Sequence, residues 1–318
     1  MYKPNIGIIG VGWVGGQLKR YFEEIKNYKT GEDLLLHDID PKRCAGYFNQ
    51  ADVIFVTVPT PPNPKDRSCD TSILENAVSK IGGDPSSRKA SKGQGKIVVL
   101  KSTIPPGTTE SLQKQYPQHK FLFNPEFLTE SRAWEDMLRP DRQIVGFTKQ
   151  SMDAAHLVLS LLPKAPFMSP WGQGTYNPVR ITATEAEIIK YAGNVYFAQK
   201  VNWANALAKT AEKLNVDYEN IRKGMSADHR IGDSHFDVNH GSYRGFGGYC
   251  FPKDTSAFMA FAKQQGLEDV YNLLMAAWKF NEDLLAEQGL TIEDVSKHIS
   301  ELQEIIKKKK NPPAGEKK

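Results

Sequence analysis

Short apolar runs alternate with amphipathic segments through the first half of the chain. Runs rich in Ile, Leu and Val are typical of buried strands, and they occupy residues 4–10, 34–38, 52–58, 97–102, 121–123 and 142–147. Between them, Val14, Leu18 and Phe22 recur at helical spacing along 13–26, and a further helix is predicted at 71–81. Strands that alternate with helices predict a parallel sheet in a doubly wound α/β domain.

The pattern changes after a proline-rich connector that runs from Leu162 to Pro178. Residues 184–214 contain no proline and follow helical spacing, which corresponds to a helix of roughly 45 Å. Apolar residues occupy several faces of this helix, so it should be buried on several sides. The same spacing predicts further helices at 217–226, 252–265, 269–286 and 291–309. We therefore predict an α/β domain over 1–178 and an all-helical central domain, with one long helix, over 179–306.

Two polar segments carry no recognisable chemistry. Residues 82–95 are rich in Gly, Ser and Lys, and we expect a mobile surface insertion there. Residues 307–318 form a lysine-rich tail that we expect to be disordered. The chain as a whole has a net charge of +4, which is too small to indicate a nucleic-acid partner and agrees with an anionic small-molecule ligand.

The three cysteines, Cys44, Cys69 and Cys250, indicate a reducing compartment. They lie far apart, match no metal-ligand spacing and do not form the even set of a disulfide framework. The chain enters a predicted strand by Asn5, which leaves no room for a signal peptide. Because no apolar run approaches the length of a membrane span, we expect a cytoplasmic protein with no membrane partner and no metal site.

A glycine motif lies between the first predicted strand and the first helix. Its residues are Gly10, Val11, Gly12, Trp13, Val14 and Gly15. In this context the first glycine allows a tight turn, the second lets a pyrophosphate approach the helix N-terminus, and the third lets helix and strand pack. Asp38, at the end of the second strand, would bind a ribose diol and repel a 2′-phosphate, so the predicted cofactor is NAD. Arg43 leaves NADP open, and a purely structural glycine turn is the other alternative.

Two further patterns carry candidate chemistry. Lys190 and Asn194 are four residues apart on the long helix, so they share a face and could stabilise the same developing alkoxide. A solvated helix face is the alternative, although the neighbouring residues are mostly apolar. Cys250 follows a glycine-dense turn and precedes a helix start at Pro252, with Lys253 close by. This environment favours a thiolate and therefore a nucleophile, whereas a small buried cysteine that packs beneath a turn is the alternative.

In their order along the chain, these motifs resemble the UDP-glucose/GDP-mannose dehydrogenase family, and its UDP-glucose branch most. The matching blocks, which cover about residues 4–285, are the glycine motif, 58–61, 101–108, 124–130, 140–142, 187–194, 228–232 and 245–255. The resemblance implies a Rossmann-type nucleotide domain followed by a helical dimerisation domain. It also implies oxidation of the C6 alcohol of a nucleotide sugar, UDP-glucose being favoured, to a carboxylate in two NAD-linked steps.

The resemblance implies a role for each matching residue. Cys250 would form a thiohemiacetal and then a thioester, Lys190 and Asn194 would stabilise the oxygen at C6, and Asp254 would deprotonate the hydrolytic water with Thr103 and Glu126. The cofactor would contact Thr60, Thr103, Glu130 and Lys253. The substrate pocket would be lined by Phe127, Leu128, Glu130, Gly247 and Gly248. Arg230 resembles an arginine that reaches into the neighbouring subunit's substrate site, which implies a homodimer around the long helix.

Two other functions stay open at this point. A one-step β-hydroxyacid-type dehydrogenase also pairs a nucleotide domain with a Lys–Asn pair, but it needs no cysteine, so Cys250 argues against it. A truncated relative could bind NAD or a partner without turnover. The chain ends about 30 residues beyond the last matching block, too short for the further α/β domain that covers the nucleotide in the family. The intact set of Cys250, Lys190, Asn194 and Asp254 argues against a pure binding protein.

Overall fold

The computed structural model describes residues 3–82, 95–170, 180–297 and 299–310, which form two compact units. The α/β unit comprises the chain to Pro61 and Cys69–Lys190, and the helical unit comprises Pro62–Ser68 and the chain from Tyr191. The interior of the predicted mobile loop (83–94), the middle of the proline-rich connector (171–179) and the end of the predicted tail (311–318) lie outside the described residues.

The α/β unit is built on a six-stranded sheet. The strands in the described part of the chain are β1 (Ile6–Ile9), β2 (Leu34–His37), β3 (Val53–Val56), β4 (Ile97–Leu100), β5 (Lys120–Phe123), β6 (Arg142–Ile144), β7 (Gly146–Phe147) and β8 (Phe167–Ser169). The sheet order is β2-β1-β3-β4-β5-β7, with every pair parallel except β5 and β7. The predicted parallel sheet is therefore confirmed for its first five strands, and an antiparallel strand completes its edge.

The last predicted strand of this unit, at 142–147, proves to be two strands. β6 pairs in parallel with β8 in a separate two-stranded sheet, and β7 joins the main sheet. Gly146, the first residue of β7, lies so close to the start of the long helix that a Cβ atom on it would lie 2.7 Å from the Thr182 carbonyl oxygen. β8 falls within the segment that we predicted as a connector. The sequence did not predict this strand, because the three residues between Pro166 and Pro170 are too few to show a period.

Helices cover both faces of the sheet. They are α1 (Trp13–Glu24), α2 (Ser72–Ser79), α3 (Thr108–Gln115), α4 (Ala133–Leu138), α5 (Met152–Leu161) and the first turns of α6 (Ala183–Leu214). Alternate residues of β3 enter two different apolar clusters, with Phe55 in one and Ile54 in the other. A sheet buried on both faces in this way confirms the doubly wound arrangement. No pattern in the sequence predicted α5, because its short apolar run is compatible with either a helix or a strand.

The long helix α6 contains 32 residues and belongs to both units. Ala183 and Ala186 pack into the core of the α/β unit, and Lys190 is its last residue. The boundary therefore lies within the helix, whereas the sequence pattern placed it at 178/179. The reason is that a change in composition marks where a helix begins, but packing decides which core its first turns join.

The helical unit contains the rest of α6 together with α7 (Tyr218–Ser226), α8 (Phe251–Gln264), α9 (Glu268–Ala286), α10 (Ile292–Val295) and α11 (Ile299–Lys310). The helix predicted at 291–309 is thus two helices, and Thr291 begins the first of them in a capping box with Asp294. Val295 and Leu302 join the core of this unit. The helical backbone continues to Lys310, so it includes the first residues of the segment that we expected to be disordered.

A short segment from the N-terminal half, Pro62–Ser68, also belongs to the helical unit. Arg67 anchors it, because its guanidinium pairs with Glu293 at 3.0 Å and lies 5.2 Å from the ring centroid of Trp278. The Arg67 carbonyl oxygen accepts a hydrogen bond from the Ser256 hydroxyl at 3.4 Å. No period in the sequence indicated that these residues leave the α/β unit, since their partners are more than 180 positions away.

Candidate active site

The glycine motif forms a tight loop between β1 and α1. Gly10 has φ of +91°, and a Cβ atom on it would lie 2.9 Å from the Thr57 carbonyl oxygen. At Gly15 the close contact is with Gly10 itself, whose carbonyl oxygen would lie 1.9 Å from an added Cβ atom. Gly12, in contrast, has no neighbouring atom within 4 Å of such a position, and no side chain caps the N-terminus of α1. Open space before uncapped N–H groups fits a bound pyrophosphate.

Asp38 lies beside this loop at the end of β2. Its carboxylate accepts hydrogen bonds from the Val11 amide at 2.6 Å and the Asp40 amide at 2.9 Å. Arg43 donates to the Val11 carbonyl oxygen at 3.2 Å and faces Asp40 at 3.5 Å. The carboxylate is thus held in place next to the glycine loop, as recognition of a ribose diol requires.

The different surroundings of Gly12 and Gly15 give a testable pair of variants. We expect Gly12→Ala to fold with an unchanged Tm and to weaken NADH binding by about tenfold or more, because its methyl group enters the open space that would receive phosphate. Gly15→Ala should instead lower Tm, because its Cβ atom has no room against the Gly10 backbone. Thermal unfolding and NADH fluorescence titration measure both effects. Equal Tm losses in the two variants would contradict this interpretation.

Two buried threonines meet at the carboxyl ends of β3 and β4. The Thr60 hydroxyl donates to the Thr103 carbonyl oxygen at 2.7 Å, and the Cys69 thiol donates to the same oxygen at 3.5 Å. The neighbouring Ser102 hydroxyl bonds the Val58 carbonyl oxygen at 2.6 Å. Ligands of doubly wound sheets bind at this edge, and the structure brings Thr60 and Thr103 together there.

Lys190 and Glu126 form a buried ion pair within the α/β unit. The Lys190 ammonium donates to the Glu126 carboxylate and to the Glu126 carbonyl oxygen, each at 2.8 Å, and the two side chains are only 4% and 11% exposed. The Leu128 amide donates to the second carboxylate oxygen at 2.9 Å. Burial by itself would raise the pKa of Glu126, but Lys190 and this amide hold the pKa below its usual value. These donors therefore keep Glu126 in its carboxylate form.

A second buried lysine, Lys101, lies near this pair. Its ammonium donates to the Asn124 side-chain oxygen at 2.6 Å, and the Asn124 amide group donates to the Ile144 carbonyl oxygen at 2.6 Å. Burial lowers the pKa of Lys101 to about 8, against the opposing effect of Glu126. Both Lys101 and Asn124 lie in sequence blocks that carried the family resemblance, but no role was predicted for either residue.

Two positively charged side chains lie near the aromatic ring of Phe127. The ring centroid lies 3.9 Å from the Arg142 guanidinium and 5.8 Å from the Lys190 ammonium. Leu128, its neighbour, packs partly against the core, and Glu130 opens a short 3-10 turn, Glu130–Arg132.

Cys250 occupies the N-cap position of α8 in the helical unit. Pro252 lies in the first turn of this helix, no side chain caps the N-terminus, and Cys250 is partly exposed and not in a disulfide. The helix dipole places partial positive charge at this end, which favours a thiolate. The helix start predicted at Pro252 is confirmed to within one residue.

Asp254, one turn into the same helix, is completely buried and held by two donors. The Asn194 side-chain amide donates to one carboxylate oxygen at 2.5 Å, and the Lys253 ammonium forms an ion pair with the other. The structure therefore brings Asn194, Lys253 and Asp254 together. Asn194 follows Lys190 by one turn of α6.

The glycine-dense turn before Cys250 is held by α9 and α10. The Asn281 side chain, which is fully buried, accepts from the Phe246 amide at 2.7 Å and donates to the Phe246 carbonyl oxygen at 3.1 Å. The Gly248 amide donates to the Val295 carbonyl oxygen at 2.7 Å. Gly247 has no room for a side chain, because a Cβ atom would lie 2.9 Å from the Val295 carbonyl oxygen. Nothing in the sequence pattern had singled out Asn281.

Arg230 lies on the surface of the helical unit. Its guanidinium is 78% exposed and pairs with Asp228 at 2.5 Å. This arrangement leaves the side chain on the surface of the unit, in contact with a residue only two positions away.

None of the helices in the described ranges combines the length and apolar character needed to cross a lipid bilayer.

Comparison with known proteins places these sites in a family. The NAD-binding-domain profile of the UDP-glucose/GDP-mannose dehydrogenase family matches residues 43–159, and its central-domain profile matches residues 184–283. UDP-glucose 6-dehydrogenase AglM of Haloferax volcanii is 31% identical over 335 aligned positions, which cover 89% of this chain and 72% of the relative. UDP-glucose 6-dehydrogenase of Pseudomonas aeruginosa is 32% identical and is matched over 62% of its length, with 82% of this chain covered.

A solved structure shows the same architecture. The UDP-glucose dehydrogenase of Pyrobaculum islandicum superposes with a TM-score of 0.73 at 29% identity, covering 90% of this chain and 71% of that one. The Rossmann-type sheet, the long central helix and the helical region are thus shared, and NAD is the cofactor. The chain belongs to the UDP-glucose/GDP-mannose dehydrogenase family.

Proposed function

We propose that this NAD-dependent nucleotide-sugar dehydrogenase oxidises the C6 alcohol of UDP-glucose to the carboxylate of UDP-glucuronate, with Cys250 as the nucleophile. The observation that carries the proposal is the position of Cys250 at the uncapped N-terminus of α8. A one-step dehydrogenase has no use for a thiolate, whereas the second oxidation of an aldehyde needs a covalent adduct or a hydrate. The names of the relatives support UDP-glucose as the sugar nucleotide.

The proposed reaction divides a four-electron oxidation into two hydride transfers. NAD, when bound, accepts one hydride from C6 in each oxidation. After the first, the Cys250 thiolate adds to the aldehyde carbon, and the resulting oxyanion takes up a proton to form a thiohemiacetal. The second oxidation removes the remaining hydrogen on that carbon and the hydroxyl proton, which leaves a thioester. Water then cleaves the carbon–sulfur bond, so the whole reaction consumes two NAD and one water and yields two NADH, a carboxylate and three protons.

In the α/β unit, the ion pair between Lys190 and Glu126 has the groups that the first oxidation requires. The Lys190 ammonium would stabilise the C6 oxygen as its proton leaves, and the ionised Glu126 would accept a proton directly or through water. Thr60 and Thr103 would contact the cofactor, and Glu130 would lie beside its nicotinamide ring. Phe127 and Leu128 would contact the sugar nucleotide.

In the helical unit, the buried carboxylate of Asp254 is the proposed base for thioester hydrolysis. Its two donors, Asn194 and Lys253, fix its orientation. Asn194 would also donate to the C6 oxygen, and Lys253 would neutralise charge near the nicotinamide. The backbone of Gly247 and Gly248, where side chains are excluded or absent, would let the sugar approach the thiolate.

The direct test is the stoichiometry of the purified chain with NAD and UDP-glucose, with GDP-mannose and UDP-N-acetylmannosamine as competing substrates. We expect two NADH for each UDP-glucose consumed and a UDP-glucuronate product by mass spectrometry. A product with one NADH per sugar would support a one-step dehydrogenase instead. If NADH binds but no nucleotide sugar is oxidised at any concentration, the chain would be a binding protein, and the proposed reaction would be refuted.

We also propose that two copies associate through α6, in the cytoplasm, with Arg230 of each copy serving the substrate site of the other. Tyr196, Trp203 and Leu214 are 60%, 56% and 67% exposed. They are separated by nearly whole numbers of helical turns, so they form one apolar face. A second copy presents the same face, which makes an isologous contact self-complementary.

A charge in this face should separate the copies. We expect Trp203→Glu to change the mass measured by light scattering from that of two chains to that of one, because an unpaired carboxylate would be buried in the contact. Leu273→Glu is the matched control, since Leu273 is 69% exposed on a different helix, α9. A one-chain mass for the wild type, or an equal response to both substitutions, would exclude the proposed contact.

A further inference from the structure

We propose that Glu187 is a positioning residue for the dehydrogenase reaction, which ties the start of α6 to the start of α3 and so holds Lys190 and the Thr103 segment in register. The inference rests on the proposed function for its effect on catalysis. Its structural basis lies within the α/β unit alone.

Glu187 supplies the N-terminal cap that α3 lacks in its own sequence. The cap position is Gly107, which has no side chain. The Glu187 carboxylate instead accepts hydrogen bonds from the Gly107 amide at 2.5 Å, the Thr109 amide at 2.8 Å and the Thr109 hydroxyl at 2.5 Å. Both Glu187 and Thr109 are fully buried. A carboxylate at a helix N-terminus is stabilised by the backbone donors and by the helix dipole.

The two ends of this contact carry residues of the proposed reaction. Lys190 follows Glu187 by one turn of α6, and its ammonium reaches Glu126. Thr103 precedes Gly107 by four residues, in the segment that connects β4 to α3. A shift of α6 against α3 would therefore displace Lys190 relative to Thr103. Because displacements of about an ångström can cost up to about a hundredfold in rate, this contact matters for turnover.

Burial gives the contact a pH dependence that can be measured without activity. Desolvation raises the pKa of Glu187 to about 7, against the opposing effect of its three donors, and Glu110 in the first turn of α3 raises it further. The folded chain therefore binds this proton more tightly than the unfolded chain, whose glutamate has an ordinary pKa. The linked stability is fully present at acidic pH and is lost as the pH rises through about 7.

The test compares Glu187→Gln with Glu185→Gln, the same substitution two residues earlier on α6, where an exposed carboxylate caps the helix through Thr182. We expect Glu187→Gln to lower kcat by roughly ten- to a hundredfold, while NADH binding stays within about twofold because the glycine loop is untouched. Glu185→Gln should leave kcat within about twofold. Between about pH 5 and about pH 7.5, Tm should fall less with rising pH in Glu187→Gln than in the wild type or in Glu185→Gln.

Thr109→Val provides a milder variant if Glu187→Gln does not fold. It removes one donor, so it should lower kcat by less than Glu187→Gln does. The double variant Thr109→Val/Glu187→Gln should have a kcat no lower than that of Glu187→Gln alone. An unchanged kcat in Glu187→Gln, or the same pH dependence of Tm in all three proteins, would overturn the inference. A wild type that oxidises no nucleotide sugar would refute the proposed function instead, and the Tm profiles would still decide whether Glu187 caps α3.

Discussion

Cys250→Ser should abolish formation of the carboxylate while leaving NADH binding intact. Serine keeps the size of the residue at the start of α8, but its hydroxyl has a far higher pKa than a thiol, so no anion is available to attack the aldehyde. We expect the rate of UDP-glucuronate formation to fall by about a thousandfold or more. Product mass spectrometry and NADH titration measure the two quantities separately.

Supplying the 6-aldehyde of UDP-glucose isolates the step that Cys250 performs. The wild type should convert this aldehyde to the carboxylate with one NADH per sugar, whereas Cys250→Ser should not, although reduction of the aldehyde by NADH should persist. Persisting reduction would show that the cofactor and sugar still bind productively. Carboxylate production by the variant at the wild-type rate would refute the nucleophile assignment.

Lys190→Met should damage both stability and turnover, for separable reasons. Removing the ammonium leaves the Glu126 carboxylate buried without its partner, which typically costs about 3–5 kcal/mol in the free energy of unfolding. The rate should also fall by about a hundredfold to a thousandfold, because no charge stabilises the C6 oxygen. Urea unfolding and steady-state kinetics measure the two effects.

The double variant Lys190→Met/Glu126→Gln separates these effects. It no longer buries an unpaired charge at this position, so it should recover much of the lost stability without recovering activity. Lys19→Met, which breaks a pair whose side chains are both 31% exposed, should change the free energy of unfolding by less than about 1 kcal/mol. Recovery of turnover by the double variant would show that Lys190 serves only to neutralise Glu126.

Local sequence patterns predicted a structural feature correctly wherever that feature depends on one element and its immediate neighbours. The glycine motif was enough to predict the loop between β1 and α1, because the close contacts of Gly15 are with Gly10 and those of Gly10 are with the end of the adjacent strand. The start of α8 after Cys250 followed from proline chemistry. The strands β1 to β5 followed from apolar runs. The same patterns failed for α5 and β8, whose runs are too short for a period to distinguish helix from strand.

The sequence by itself determined the nucleotide loop, the strands β1 to β5, the long helix, and the residue types able to oxidise an alcohol, because these depend on local backbone preferences and side-chain chemistry. Only the tertiary structure decided that Lys190 pairs with Glu126, that Glu187 caps α3 and that Asn281 holds the turn before Cys250. These partners lie between 35 and 78 positions apart. Such pairs form because buried polar groups must find donors or acceptors in the folded core, and no local period records which ones they find.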